Sequence, residues 1–337
     1  MRYRQMGRTG LRVSTICLGA MTFGDAPGFM QGVACDEETS RALMDRAFEA
    51  GVNFIDTADV YGNGVSEEIV GRWAKGKRDR VVIATKCRFP MGKGTNDVGI
   101  SRHHVKHAVE ASLRRLGTDH IDLYQTHMQD ARTPVDETLD ALDRLVTEGK
   151  ILYAGCSNYT GYRLVESLWS ADRRGTTRYD CLQAQHSLLI RDAERELFPA
   201  CQAFGLGFIA WSPLASGLLS GKYRRDMPAP EGSRLAAWKD TMRRLDQEDK
   251  WKVVETLAAC AEELGCSAGT LALAWSLARP GMTSVIIGAR TLAQLEENLA
   301  ADALEVPPAI LDRLDAASRP TEWGYPYDFI ARVDGKW

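Results

Sequence analysis

Short apolar runs alternate with helix-period stretches almost from end to end of this chain, and that rhythm limits the fold more than any other feature. The runs are Thr15–Leu18, Asn53–Asp56, Val81–Thr85, Ile121–Gln125, Ile151–Gly155, Cys181–Gln183, Gly207–Trp211 and Ser284–Ile287. Amphipathic stretches lie between them, among them Glu38–Ala50, Ser101–Leu116, Val135–Glu148 and Tyr162–Arg173. Strand followed by helix, repeated eight times, predicts parallel strands joined by crossover helices. Continuous apolar character within a strand suits a sheet buried on both faces. Two topologies remain, a closed (β/α)8 barrel of typically ~250 residues plus insertions and an open doubly wound sheet. The open sheet expects a glycine-rich phosphate turn after its first strand. Here that position reads Gly19-Ala-Met-Thr-Phe-Gly24-Asp-Ala-Pro-Gly28 and lacks the Gly-x-Gly-x-x-Gly spacing, so the barrel is favoured.

Composition narrows the function classes. With 42 basic and 45 acidic side chains interspersed over 337 residues, the net charge is −3 and no basic tract offers itself to a nucleic acid. The longest apolar run, near Leu271 to Ala278, is too short to span a membrane. The start of the chain imitates a signal peptide, but Ser14 and Thr15 interrupt its apolar part. It reads as a basic hairpin turning at Arg8-Thr9-Gly10, and the protein is expected to be cytoplasmic. The eight cysteines form no Cys-x-x-Cys pair and are expected as reduced core residues.

Two segments break the rhythm. Lys222 to Asp249 is rich in proline, glycine and mixed charge, and the C-terminal stretch from Arg319 is aromatic and loop-like. Helices are expected over Lys250–Leu264 and Ala268–Arg279. In a barrel, long segments after strands lie over the C-terminal mouth. With no repeat and no linker, one domain is expected over residues 1–337.

Several motifs fail on inspection. Gly62-Asn63-Gly64 lacks the third glycine of a dinucleotide turn, and Gly71 to Lys77 lacks the Ser/Thr of a P-loop. Gly155-Cys156-Ser157-Asn158-Tyr159 lacks the second glycine of a nucleophile elbow. His103 and His107 have no evident third metal ligand and read as a solvated helix start. The glycines at 62 and 64 are better explained as a sharp turn that lets Asp56 and Tyr61 face one pocket.

Strand ends carry the chemistry in a barrel. Reading them in order brings out Asp56 with Tyr61 in the following loop, then Lys86, then His127. Each has a plain structural explanation alone: a turn cap, a rim aromatic, a loop charge, a core histidine. Together on one rim they supply a proton donor, a cation that lowers its pKa, a carboxylate that holds the cation, and an imidazole. That set protonates an oxygen as a carbonyl becomes an alcohol. It contains neither nucleophile nor metal, so the electrons are expected from a cofactor.

At this point the chain resembles the aldo-keto reductases, nicotinamide-dependent (β/α)8 barrels, over essentially its whole length. The segments that carry the likeness are GVNFIDTADVYGNGVSEEIVG, IATKC, SLRRLGTDHIDLYQTH, GKILYAGCSNY, WSPLASGLLSGKY and VIIGARTLAQLEENLAA. The resemblance implies Asp56, Tyr61, Lys86 and His127 as the catalytic four, with Tyr61 the general acid. It implies a cofactor lying along Gly19, Ala20 and Met21 and beside Asp56. Ser157, Asn158 and Gln183 would hold the nicotinamide carboxamide, and Trp211 would stack on its ring. Ser212, Pro213, Leu214, Ala215, Ser216 and Lys222 would follow the pyrophosphate and ribose. Gly288, Arg290, Gln294, Glu297 and Asn298 would surround the adenosine end, with Arg234 closing over the cofactor from a long loop like that of the bacterial-type branch related to potassium-channel β subunits.

Gly288-Ala289 stands where many members have Lys-Ser, and Gln294 where they have Arg. Arg290 can still pair a 2′-phosphate, which favours NADPH over NADH; the plain alternative for Arg290 and Gln294 is a solvated helix start. The substrate wall implied by the resemblance, including Phe23, Phe29, Arg88, Met128, Trp238 and Trp323, is mixed in character and names no substrate beyond a carbonyl compound. The expected reaction is NADPH-dependent reduction of an aldehyde or ketone. The rivals are a cofactor-bound sensor subunit with little turnover and a hydrolase or lyase needing no nicotinamide.

Overall fold

The computed structural model describes residues 1–24 and 33–335. The chain opens with a hairpin of β1 (Tyr3–Gln5) and β2 (Arg12–Ser14), antiparallel and separate from the main sheet. Among the described residues the barrel strands are β3 (Ile16–Gly19), β4 (Phe54–Asp56), β5 (Val82–Cys87), β6 (Ile121–Thr126), β7 (Ile151–Ser157), β8 (Cys181–Gln185), β9 (Gly207–Trp211) and β10 (Met282–Ile287). Each pairs in parallel with its neighbours, and β10 closes on β3, so the eight form a closed barrel. The eight strand regions expected from the alternation are all present, with ends displaced by at most two residues and Gly207–Trp211 matched at both ends.

Crossover helices cover the outside: α1 (Glu37–Glu49), α2 (Val65–Ala74), α3 (Arg102–Leu116), α4 (Val135–Thr147), α5 (Gly161–Arg174) and α6 (Ala193–Phe204). The signals that fix their ends are local. Asp36 caps α1 by accepting from Thr39 N, Ser101 caps α3 by accepting from His104 N, and Gly117 ends α3 in the left-handed conformation. Outward-facing strand residues and inward helix faces make one large core. Inside the barrel a smaller core of Cys17, Phe54, Ala84, Leu123, Cys181 and Ile209 is closed from below by Met6 and Val13 of the hairpin. The expected hairpin therefore plugs the N-terminal end of the barrel and leaves the C-terminal mouth for chemistry.

Two departures from the rhythm resolve into structure. The segment after β9 folds into α7 (Arg234–Ala237) and α8 (Lys239–Leu245) before α9 (Glu248–Glu263) and α10 (Ala268–Leu277). It is pinned by its own apolar cluster, in which Leu235 and Leu245 are buried with Tyr223, Leu257 and Trp275. After β10 follow α11 (Leu292–Ala300), α12 (Pro308–Ser318) and α13 (Tyr327–Asp334). The last corrects the loop-like reading of the C-terminus. Asp328 holds the helix start by accepting from the backbone N–H groups of Trp323 and Gly324, and Gly335 ends it at φ 75°.

Other features that the sequence left ambiguous now have packing reasons. A Cβ at Gly71 would sit 2.3 Å from the Leu116 carbonyl oxygen, so this glycine lets α2 and α3 approach closely. His103 and His107 are both exposed at the start of α3. Seven of the eight cysteines are buried and Cys266 is half-buried, all with free thiols. Among the described residues no single helix is long and apolar enough to cross a membrane; α9 and α10 pass that test only together, bent by 98°.

Candidate active site

The period-two geometry of the strands decides which side chains reach the mouth. In β5 the residues Val82 and Ala84 face the barrel interior, so Lys86 rises above them. The same alternation carries Leu123 to Gln125 and on to His127 at the end of β6, and Phe54 to Asp56 in β4. Three adjacent strands thus deliver a carboxylate, an ammonium and an imidazole to one level. Tyr61 comes from the loop after β4, where Gly62, Asn63 and Gly64 all have positive φ (56°, 53° and 96°). That left-handed run reverses the chain before α2, the role expected of the two glycines. Gly64 also has Arg115 packed on it, where a Cβ would lie 2.6 Å from Cδ.

The four side chains meet. Lys86 is fully buried and donates from Nζ to Asp56 Oδ1 (2.5 Å), to the Thr57 carbonyl (2.9 Å) and to the Tyr61 hydroxyl (3.4 Å). Asp56 Oδ2 accepts from Gln183 Nε2 (2.8 Å) and Gln125 Nε2 (3.2 Å). The carboxylate therefore has donors on both oxygens, as a buried charge requires. The Tyr61 and His127 rings meet edge to face at 5.7 Å, and Phe89 also packs edge to face against His127 at 4.9 Å.

The electrostatics follow from this burial. Burial alone would lower the Lys86 ammonium, but Asp56 and Tyr61 more than reverse it, and its pKa stands above the ordinary lysine value. Burial, with the Lys86 charge in support, depresses His127 well below the usual imidazole value, so the ring is neutral at physiological pH. Its Nδ1 is buried without a partner among the described residues. For Tyr61 the expectation needs correction. Lys86 does pull the phenol downward, but burial is the larger influence and Asp56 adds to it, leaving the hydroxyl above its ordinary value.

The residues expected around a cofactor fall into two linked groups. At the mouth, Ser157 ends β7, and Asn158 follows at φ 55°. Asn158 Nδ2 donates to the His127 carbonyl (2.9 Å), while its Oδ1 accepts from Trp211 Nε1 (3.1 Å). Gln183 is tied to Asp56, so Ser157, Asn158, Gln183 and Trp211 join the four reactive groups directly. Gly19 ends β3, and Ala20 N donates to the Asp56 carbonyl (2.8 Å), with Met21 half-buried beside it. After Trp211 the chain makes a tight turn in which Ser212, Ala215 and Ser216 all have positive φ; Ser216 N donates to Ser212 Oγ. Pro213 and Leu214 lie within that turn.

The second group lies around α11. Arg290 Nη2 donates to the Gly232 carbonyl (2.9 Å), which ties the segment after β9 to this end of the barrel. Gln294 Oε1 accepts from Arg290 N, and Asn298 Nδ2 reaches the Gly288 carbonyl (3.4 Å). A cavity of about 330 Å³ is lined here by Cys35, Asp36, Thr39, Arg290, Thr291 and Gln294. Lys222 and Arg234 are lowered first by burial and then by neighbouring cations: Arg290 acts on both, and Arg234 on Lys222. Glu297 is exposed, and its side chain makes no bond to this group among the described residues.

Of the implied substrate wall, Phe29 lies outside the described residues, and Phe23 is buried in the main core. Met128, Trp238, Trp323 and Arg88 are half-buried. Gln125 was missed by sequence reasoning, although it stands two residues before His127 on the same strand face. The buried pair Asp59 and Glu67 behind the site was missed too, because neither lies at a strand end. Glu67 accepts from Thr85 Oγ1 and Arg115 Nε, whereas the Asp59 carboxyl is unpartnered among the described residues.

A parallel eight-stranded barrel whose mouth gathers aspartate, tyrosine, lysine and histidine, with the cations Lys222, Arg234 and Arg290 grouped together, defines a class of oxidoreductase barrels. Comparison with known proteins gives the family. The profile of the Aldo/keto reductase family matches residues 15–319, and the chain belongs to that family. It is 41% identical to the uncharacterized oxidoreductase YrpG of Bacillus subtilis (strain 168), over 94% of this chain and 95% of that one. It is 37% identical to a probable voltage-gated potassium channel subunit beta of Oryza sativa subsp. japonica (94% and 96%). It is 34% identical to versiconal hemiacetal acetate reductase of Aspergillus parasiticus (94% and 96%).

Proposed function

We propose that this protein reduces an aldehyde or ketone to an alcohol with NADPH, Tyr61 giving the proton. The observation that carries the reading is the buried chain Asp56–Lys86–Tyr61, with neutral His127 beside it. Lys86 bonds the phenol oxygen and stabilises the phenolate left when the proton departs. Asp56 keeps Lys86 charged, and Gln125 and Gln183 keep Asp56 in place. His127 orients the carbonyl oxygen and, being neutral, can donate a hydrogen bond without competing as the acid.

The chain fits a nicotinamide dinucleotide. Lys222, Arg234 and Arg290 repel one another, and none is ion-paired among the described residues, an arrangement that an anionic ligand relieves. Arg290 and Gln294 line an open cavity of about 330 Å³, where a 2′-phosphate would meet a guanidinium. Trp211, half-buried and held by Asn158, would stack on the nicotinamide. Bound there, the cofactor supplies the hydride. The relative named as a reductase supports turnover, and the one named as a probable channel subunit supports a second reading, a cofactor-bound subunit of low turnover.

Titration with NADPH and NADH, followed by tryptophan quenching, tests the cofactor assignment. NADPH should bind more tightly than NADH, and Arg290→Ala should weaken NADPH roughly tenfold or more with little effect on NADH. Equal loss for both nucleotides would remove Arg290 from phosphate recognition.

A further inference from the structure

Arg88 follows β5 directly, two residues beyond Lys86. Its Nε is buried without a hydrogen-bond partner, and its guanidinium forms neither a hydrogen bond nor an ion pair among the described residues. A buried guanidinium N–H left unsatisfied is costly to fold around, while the two Nη groups of Arg88 are not buried and stay open to a ligand. Asp130, whose carboxylate is lowered in part by the Arg88 charge, already accepts from Arg132 N and Thr133 Oγ1. What Arg88 does touch is the Phe89 ring, 5.8 Å from the guanidinium carbon to the ring centre. Phe89 in turn lies 4.9 Å from His127, ring to ring. Those two contacts put the guanidinium within about 11 Å of the imidazole, with the Phe89 ring in contact with both.

We infer that Arg88 is a specificity-determining residue that binds a carboxylate on the carbonyl substrate, so that the preferred substrates are aldehydes or ketones carrying an acid group about one aromatic ring away from the carbonyl. The inference rests on the reductase reading for the position of the carbonyl, beside Tyr61 and His127. The substrate body lies along Phe89, and its carboxylate takes two parallel N–H bonds from the guanidinium fork. Partial burial makes that pairing stronger than an exposed ion pair. The carbonyl end and the anionic end are then fixed independently, which positions the reacting carbon.

The test uses 4-carboxybenzaldehyde and its methyl ester, which share shape and reactive group and differ in charge. Wild-type protein with NADPH should give a kcat/KM for the acid roughly tenfold or more above that for the ester. Arg88→Met should lower the acid value roughly ten- to hundredfold and leave the ester within about threefold, with Arg88→Lys in between. NADPH affinity should stay unchanged in both variants. Equal preference in the wild type, or equal losses for acid and ester in Arg88→Met, overturns the inference while turnover of the ester upholds the reductase reading. If neither aldehyde is reduced, the reductase reading fails. Binding of 4-carboxybenzaldehyde, measured by tryptophan quenching in wild type and Arg88→Met, then decides the role of Arg88 alone: weaker binding in the variant supports it, and equal binding refutes it.

Discussion

The Lys86–Asp56 pair can be separated into its structural and chemical parts by a double-mutant cycle. Lys86→Met leaves the Asp56 carboxylate buried with only the amide donors of Gln125 and Gln183. Asp56→Asn leaves the ammonium with the Thr57 carbonyl and the Tyr61 hydroxyl. Breaking a buried ion pair from either side costs about 3–5 kcal/mol, because the remaining charge is uncompensated. The two amides retained by Asp56 place Lys86→Met at the lower end, about 3 kcal/mol. The unfolding entropy of a 337-residue chain, about 2.1 cal/mol/K per residue, converts that to a fall in Tm of about 4 °C. The double variant carries no buried charge at this place, and it should recover about 2–3 kcal/mol relative to the sum of the singles. Carbonyl reduction should be lost in all three variants, since none presents an ammonium paired to a carboxylate beneath Tyr61. Thermal unfolding at neutral pH, far below the raised lysine pKa, reads the stability cycle with Lys86 fully charged. Strictly additive single effects would refute the coupled-pair account, and full activity in any variant would refute the chemical role.

Further outcomes follow from neighbouring features. Gly71→Ala should destabilise by about 1–3 kcal/mol despite the better helix propensity of alanine, because the new Cβ meets the backbone at Leu116; a stabilised variant would remove the close-approach argument. Burial and then the charge of Glu67 push the Asp59 carboxyl up to about 8. A carboxyl raised in the fold holds its proton more tightly there than in the unfolded chain, so the cost of Asp59 grows as pH rises from its ordinary value of 3.8 to about 8. Asp59→Asn should therefore gain stability relative to wild type between pH 5 and pH 9, and a difference in Tm that is flat with pH would contradict this.

The framework of the site was legible because parallel strands impose it. A strand buried on both faces shows itself by composition, and its last inward residue is found by counting in twos, as Asp56, Lys86 and His127 illustrate. What escaped depends on packing between segments distant in sequence. Gln125 and Gln183 are 58 positions apart yet both donate to one carboxylate, and no local pattern announces that. The phenol of Tyr61 was expected to be lowered by a neighbouring ammonium, but its burial could be known only from the folded chain. α13 was hidden by its aromatic residues and prolines, although Pro326 before it and Gly335 after it are the ordinary marks of a helix start and stop.

The most direct test of the account is Tyr61→Phe, a change that removes one oxygen from a half-buried ring. The account predicts that aldehyde reduction falls by roughly a hundredfold or more, as expected for loss of a general acid, while NADPH quenching of tryptophan fluorescence stays within about twofold of wild type. Turnover at the wild-type level would contradict it and require another proton donor for the carbonyl oxygen.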